Sequence, residues 1–388
     1  LNIIFSWGNI ELPEKKEDKI PPYYEVYRLA RQQEEKGYSV IHLEYGDPDI
    51  PTDPRIIDEM SLKALEGYTH YSNPLGLDEL REKIAENMSL RLRTDISRDN
   101  VIVTIGSKSA IYISLRAFYQ PRKSVLLISP IWGLYHTLLK EMGIDYVNYK
   151  TRMEDGWSPT DDLFDIRRSV GIIMVNNPNN PTSKVWDNKS IKTIIDFARE
   201  NNAVIISDEV YHDFSRKKFY SMLSYDYDKV ICLYSFSKSY SMTGFRLGYI
   251  ISPNNELLSK FAKLQQLYFT NVPVFIQYAG LKALEMPWIA VENIRILWRN
   301  TDFMSRGLKK MGMSFLRPEG AFYIFMKIPE KYNNSYRFCY DLLVKENLCF
   351  APGEGFGGYD NFVRVSASLN IEKLRLALKR LERFLGDS

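Results

Sequence analysis

The stretch that organises this chain is VICLYSFSKSYSMTGFRLGYIIS, residues 230–252. It begins and ends in runs rich in β-branched, aliphatic and aromatic residues, and the polar segment between them is too short for a crossover helix. The two strands are therefore expected to be antiparallel or non-adjacent. Lys238 stands among hydroxyl groups just past the first strand, and Arg246 follows eight positions later. Lys238 could form an imine with a phosphorylated aldehyde cofactor. Ser235 and Ser237 could donate to phosphate oxygens, and Arg246 could clamp the phosphate through two parallel N–H donors. Taken alone, the same residues read as a surface lysine in a serine-rich turn.

Further short β-rich runs precede this pair: VIVTIG from 101, SVLLIS from 124, GIIMVNN from 171 and NAVIISDE from 202. Between them lie segments of helical length at 107–119, 131–142 and 187–201. The alternation predicts an α/β domain with a mainly parallel central sheet, whose ligands bind beyond the carboxyl ends of the strands. Residues 287–311 carry apolar positions at spacings of three and four, which predicts a long amphipathic helix bridging into a smaller α+β domain. That domain is expected to hold the strand AFYIFMKI, a helix at 335–346, the loop APGEGFGG, the strand NFVRVSAS and a final helix, IEKLRLALKRLERFL. The expected division is 46–286 for the large domain, with 1–45 and 287–388 forming an arm and the small domain.

At 388 residues the chain exceeds the size at which one core keeps growing, which favours two unequal domains. Its 51 basic and 48 acidic side chains leave a formal charge of +3, a balance that points to neither nucleic acid nor membrane. Apolar runs are of strand length, short of the roughly 20 residues a membrane helix needs. Cys232, Cys339 and Cys349 form no CxxC pair, so neither a disulfide framework nor a metal site is expected, and a reducing cytoplasmic setting fits best. The first residues do not read as a signal peptide, and the charge run at 14–19 reads as solvated surface.

Other candidates sit at strand ends. Gly106, Ser107 and Lys108 open a helix, where backbone N–H groups make a phosphate seat. Trp132 could stack on a flat ring or simply fill core. Asn180, in the turn PNNPT, could donate to a phenolic oxygen or merely shape the turn. Asp208 could cap a helix or pair with a protonated ring nitrogen, and Tyr211 follows three positions on.

In order, Gly46, Tyr71, Ser107, Trp132, Asn180, Asp208, Tyr211, Lys238, Arg246 and Arg364 resemble the site of the pyridoxal-phosphate aminotransferases of fold type I, class I/II. The segments that carry the resemblance are YGDPD, YSNPLGLDELR, TIGSKSA, SPIWGLY, NNPNNPT, SDEVY, SFSKSYSMTGFRLGY and FVRVSAS, spread over roughly residues 40–370. The resemblance implies pyridoxal 5'-phosphate on Lys238, which then moves the proton between Cα and the cofactor. It implies that Asp208 keeps the pyridine nitrogen protonated, that Tyr211 and Asn180 bond the phenolic oxygen, and that Trp132 stacks on the ring. Ser107, the Lys108 backbone, Ser235, Ser237 and Arg246 would hold the phosphate, with Tyr71 reaching in from the neighbouring subunit of a homodimer. Arg364 would bind the substrate carboxylate opposite a Gly46 backbone contact.

Three features depart from that pattern. Ser183 stands where the family usually has Gly, so that turn is expected to differ. IPPYYEVYRLA lacks a Ser/Thr pair that helps one aspartate-using branch hold the distal carboxylate, and LQQLYFTNVPVFIQY lacks the arginine another branch lends across the dimer. The Lys108 side chain matches a position that contacts that carboxylate, while Tyr23, Tyr24, Tyr268 and Phe269 are candidates for an aromatic pocket wall. The expected reaction is amino transfer from an L-amino acid, aspartate first and aromatic donors next, to a 2-oxo acid such as 2-oxoglutarate. A β-eliminating lyase is the alternative enzyme, and a non-catalytic sensor module is a third reading.

Overall fold

The structure, a computed structural model, describes residues 22–386. The signal-peptide reading and the charge run at 14–19 lie outside the described residues, as do the side chains of Tyr23 and Tyr24. A seven-stranded sheet forms the centre. Its strands run Val101–Thr104, Gly248–Ile251, Val230–Ser235, Val204–Asp208, Val170–Asn176, Ser124–Ser129 and Tyr146–Lys150, from one edge to the other. Gly248–Ile251 pairs antiparallel with both its neighbours, and every other pairing is parallel. The short link after residue 235 thus yields an adjacent antiparallel pair.

Strands covered on both faces read as continuous apolar runs, because successive side chains point to opposite sides and both sides are core. Ile205 packs on one face with Ile173 and Val175, while Ile206 packs on the other with Ile172 and Met174. Gly106–Phe118 and Asn255–Phe269 cover the second face; Asp78–Leu92, Asn188–Asn201 and Val274–Glu285 cover the first. Asp187 caps Asn188–Asn201 by accepting from the Ser190 N–H at 2.9 Å.

The 24-residue helix Pro287–Lys310 leads away from this sheet. Beyond it, Ala351–Pro352, Phe362–Ser366 and Tyr323–Lys327 make a three-stranded antiparallel sheet. Ile41–His42 returns from the start of the chain to pair in parallel with Leu348–Cys349. Val26, Ala30, Ile41 and Leu43 share a core there with Ile324, Phe338, Leu342 and Val363. The helices at Ser335–Glu346 and Ile371–Gly386 form where periodicity placed them. The helix expected at 131–142 is shorter, Leu134–Glu141, because Gly133 is the residue that enters it. Among the described residues, no helix is long and apolar enough to cross a membrane.

Candidate active site

The carboxyl ends of five strands converge on one cavity of about 410 Å³. Thr104 leads into Gly106 and Ser107, Ser129 into Trp132, Asn176 into Asn180, Asp208 into Tyr211, and Ser235 into Ser237 and Lys238. Arg364 enters from the middle strand of the small sheet, and Gly46 from the segment after Ile41–His42. Of the sequence-derived candidates, Gly46, Ser107, Lys108, Trp132, Asn180, Asp208, Tyr211, Ser235, Ser237, Lys238, Arg246 and Arg364 all line this cavity. Tyr71 does not; it is 87% exposed on the surface of the chain. Nor do Tyr268 and Phe269, the candidates for an aromatic wall: both are exposed, with Tyr268 against Tyr112, outside the cavity of their own chain.

Lys238 points its ammonium at the Gly46 carbonyl, 2.5 Å away. Burial is the main reason its pKa falls to about 8, and Arg364 and Arg246 push the same way against Asp47 and Asp208. Asp208 is buried and moves oppositely, up to about 6, because desolvation outweighs the Tyr135 hydroxyl and the Val210 N–H that donate to it. Tyr135 belongs to the quoted segment SPIWGLY, yet its role appears only when the strands are side by side. The carboxylate is thus held from the first turn of the neighbouring helix Leu134–Glu141 rather than capping a helix itself.

Tyr211 and Tyr323 share a hydrogen bond at 2.6 Å, and burial first, then their mutual charge, raises the Tyr211 phenol well above its ordinary range. Tyr323 also lies under the Arg364 guanidinium, 4.6 Å from ring centre to Cζ, with Phe356 near the same group at 5.0 Å. Arg364 donates to Asn180 Oδ1 at 2.9 Å and to the Glu44 backbone carbonyl. Its buried Nε has no hydrogen-bond partner among the described residues. Asn180 is itself oriented by Asn176, whose side chain accepts from the Asn180 N–H at 2.7 Å and donates to the Asp208 carbonyl at 3.0 Å.

At the other end of the cavity, the helix Gly106–Phe118 starts without a side-chain cap, leaving its first N–H groups for a ligand. Gly106 has φ +67°, and a Cβ there would come within 2.7 Å of the Arg246 guanidinium. A Cβ on Gly248 would meet the Ser107 nitrogen at 3.1 Å. Both glycines keep open a concavity lined by N–H donors, Ser107, Ser235, Ser237 and Arg246. Lys108 lies over the Trp132 ring at 5.6 Å; burial and Arg246 lower its pKa.

The turn at Ser183 is held by its side chain. Ser183 takes the left-handed conformation, φ 55°, that otherwise favours glycine. Its hydroxyl compensates by accepting from the Tyr323 N–H at 3.0 Å and donating to the Tyr323 carbonyl at 2.8 Å. Ser183→Ala keeps the backbone cost and strips a buried N–H of its partner, so we expect a loss of about 1–3 kcal/mol in denaturant unfolding. A loss within experimental error would show that the hydroxyl does not hold Tyr323.

The chain has known counterparts. Residues 38–381 match the family model "Aminotransferase class I and II". The chain is 34% identical over 371 residues to an aspartate aminotransferase of Thermotoga maritima, covering 94% of this chain and 96% of that one. It is 34% identical to an aromatic-amino-acid aminotransferase of Thermococcus litoralis, over 90% of this chain and 92% of that one. The crystal structure of the Thermotoga maritima aspartate aminotransferase superposes with a TM-score of 0.89 at 33% identity, covering 95% of this chain and 98% of that one. That of an aromatic aminotransferase from Pyrococcus horikoshii gives 0.85 at 32% identity, covering 92% and 99%. With a family model spanning most of its length and the strand-end site intact, the chain belongs to the class I and II aminotransferases and is a transaminase.

Proposed function

We propose that this transaminase uses pyridoxal 5'-phosphate to move an amino group from an L-amino acid, aspartate first and aromatic donors next, to a 2-oxo acid such as 2-oxoglutarate. The observation that carries this reading is one cavity holding a lysine of lowered pKa, a buried aspartate and two arginines at opposite ends. The donor set fits the cofactor. The uncapped helix start and the room left by Gly106 and Gly248 suit a phosphate, and Asp208 suits a cationic ring nitrogen. When bound, the cofactor supplies an electron sink for the substrate Cα.

The residues of the chain do the rest. Lys238 would hold the cofactor covalently and, once released, would carry the proton to and from Cα; the burial that lowers its pKa favours the neutral amine a base must be. Asp208, fixed by Tyr135, holds a proton on the ring nitrogen. Tyr211 and Asn180 address the phenolic oxygen, Trp132 covers the ring, and Ser107, the Lys108 N–H, Ser235, Ser237 and Arg246 hold the phosphate. The unpartnered Arg364 Nε supports binding of an α-carboxylate against the Gly46 backbone. Tyr71, exposed on its own chain, serves the phosphate of a second copy, which makes the active unit a homodimer; three free cysteines suit a reducing cytoplasm. The shared core of residues near Ile41 with the C-terminal sheet supports a large domain at 46–286, with 1–45 and 287–388 forming the arm and small domain.

Aspartate stands first because Lys108 puts an ammonium at the cavity, and relatives named for both aspartate and aromatic donors support the pair. One flexible ammonium is a less directional clamp than an arginine fork. Lys108→Met should lower kcat/KM for aspartate and glutamate by about 1.5–3 kcal/mol in a donor panel with 2-oxoglutarate, sparing phenylalanine. Equal losses for aspartate and phenylalanine would move the preferred donor to neutral or aromatic amino acids. Pyruvate plus ammonia formed over many turnovers from an amino acid alone, without any 2-oxo acid, would instead indicate β-elimination.

A further inference from the structure

We propose that Glu34, His42 and Glu44 are positioning residues that hold the backbone segment on which both Arg364 and Lys238 rest; the proposal builds on the reading of Arg364 as the carboxylate-binding residue. The segment in question has few other anchors, a long Ser368 hydroxyl bond to the Tyr45 carbonyl at 3.4 Å and the packing of Tyr45 on Tyr27 among them. Ile41–His42 is a two-residue strand, and the next backbone bonds, Leu43 N–H to Cys349 at 2.9 Å and Ser366 N–H to the Leu43 carbonyl at 2.8 Å, stop at Leu43. Directly after them the Glu44 carbonyl accepts from Arg364 and the Gly46 carbonyl accepts from Lys238 at 2.5 Å. The two charged groups thus depend on where residues 44–46 lie.

The side chains on the opposite side of this backbone form a connected chain. His42 Nδ1 is 2.6 Å from Glu44 Oε1, and its Nε2 is 3.1 Å from Glu34 Oε1 on the helix Pro22–Glu35. Carboxylates only accept, so an imidazolium with two N–H donors satisfies both at once. Burial works against that charge, yet Glu44 and Glu34 together hold the imidazole above its ordinary range. Glu44 is 1% exposed, and its Oε2 has no hydrogen-bond partner among the described residues. Beyond His42 and the Cys349 thiol the surroundings are apolar, which makes a carboxylate a costly choice here, where an aliphatic side chain would pack without penalty. What the carboxylate adds is direction: it ties residue 44 through His42 to a helix, and its own carbonyl then faces Arg364.

Steady-state kinetics on the cofactor-loaded enzyme test this. Because donor and acceptor both carry the carboxylate that Arg364 binds, Glu44→Ala should raise KM for both by about ten-fold and, through the Gly46 support of Lys238, lower kcat by a smaller factor. Glu44→Gln, which keeps an acceptor for His42, should restore most of the KM, and His42→Gln should raise it by about three-fold. A purely structural role would lower the thermal midpoint and leave KM at the parent value, and that result in Glu44→Ala, or in His42→Gln if the first variant does not fold, overturns the proposal. Arg364→Lys separates the two levels. If it leaves KM for both substrates unchanged, the reading of Arg364 fails; if it raises KM while Glu44→Ala does not, only the positioning role fails.

Discussion

Lys238→Ala should fold, bind the cofactor reversibly and lose at least about four orders of magnitude in kcat, since general acid–base transfer alone is worth roughly 10²–10⁴ and covalent attachment is lost with it. Lys238 meets the Gly46 carbonyl, faces Asp208 across the cavity and has its pKa drawn down to about 8. The other lysine of the cavity, Lys108, lies over Trp132 beside the helix start. Borohydride reduction followed by peptide mapping should therefore place the cofactor on Lys238, and a label on Lys108 would sink the assignment. In the cofactor-free enzyme the rate of attachment should rise with pH and level off above about 8, because only the neutral amine attacks. The variant should not be destabilised near pH 7. A lysine whose folded pKa lies below its unfolded value opposes folding fully below about 8, and that opposition fades as pH rises towards the unfolded value. A variant retaining more than about a hundredth of parental turnover would give the proton transfer to another group.

Much of this site was legible because its residues sit just after strands, and strand ends are local features. Lys238, Asp208 and Asn180 each follow an apolar run by a few residues, and the resemblance ordered them. What joins them is not local. Tyr135 reaches Asp208 across 73 positions, Tyr211 meets Tyr323 across 112, and the Glu44 carbonyl takes Arg364 across 320. Periodicity says which face of an element is buried, and it is silent on which side chain will stand opposite. Ser183 shows the same limit in reverse: a residue that reads as a departure keeps the turn because a hydroxyl bond to Tyr323, 140 positions away, offsets the backbone cost.

The fold divides similarly. The buried parallel strands were evident as apolar runs, but Tyr146–Lys150, only partly buried at the sheet edge, carries the weaker pattern YVNYK. The helix Pro54–Leu65 is announced by Asp53 as its cap and Pro54 at its first position, signals that a reading built on strands passes over. Asp78–Leu92 carries charges on several faces, and one of them, Arg81, is buried and donates to the Val101 carbonyl at 2.9 Å. A buried arginine breaks the apolar stripe by which such a helix would be recognised.

Asp208→Asn should separate activity from stability. In the cofactor-free chain, burial raises this carboxylate to about 6 although Tyr135 and Val210 donate to it. A carboxyl group whose folded pKa exceeds its unfolded value binds protons more tightly in the folded state, so stability falls as pH rises between the two values. The resulting cost is complete above about pH 6. Asparagine removes the charge, keeps an acceptor for the Tyr135 hydroxyl and nearly keeps the shape. The cofactor-free variant should therefore gain on the order of 1–3 kcal/mol at pH 7–8, and the gain should shrink as pH drops from 6 towards 4. Activity should move the other way. With no charge to hold a proton on the ring nitrogen, the loss of a buried ion pair, about 2–5 kcal/mol, should lower kcat by roughly 30- to 5,000-fold. Cofactor retention should suffer less, because the phosphate contacts at Ser107, Ser235, Ser237 and Arg246 are untouched. Thermal unfolding of the cofactor-free protein and single-turnover kinetics of the loaded one check the two halves independently. Near-parental turnover would assign the ring nitrogen to another partner, and a lower unfolding midpoint at pH 7–8 would show that the Tyr135–Asp208 contact stabilises more than the buried charge costs.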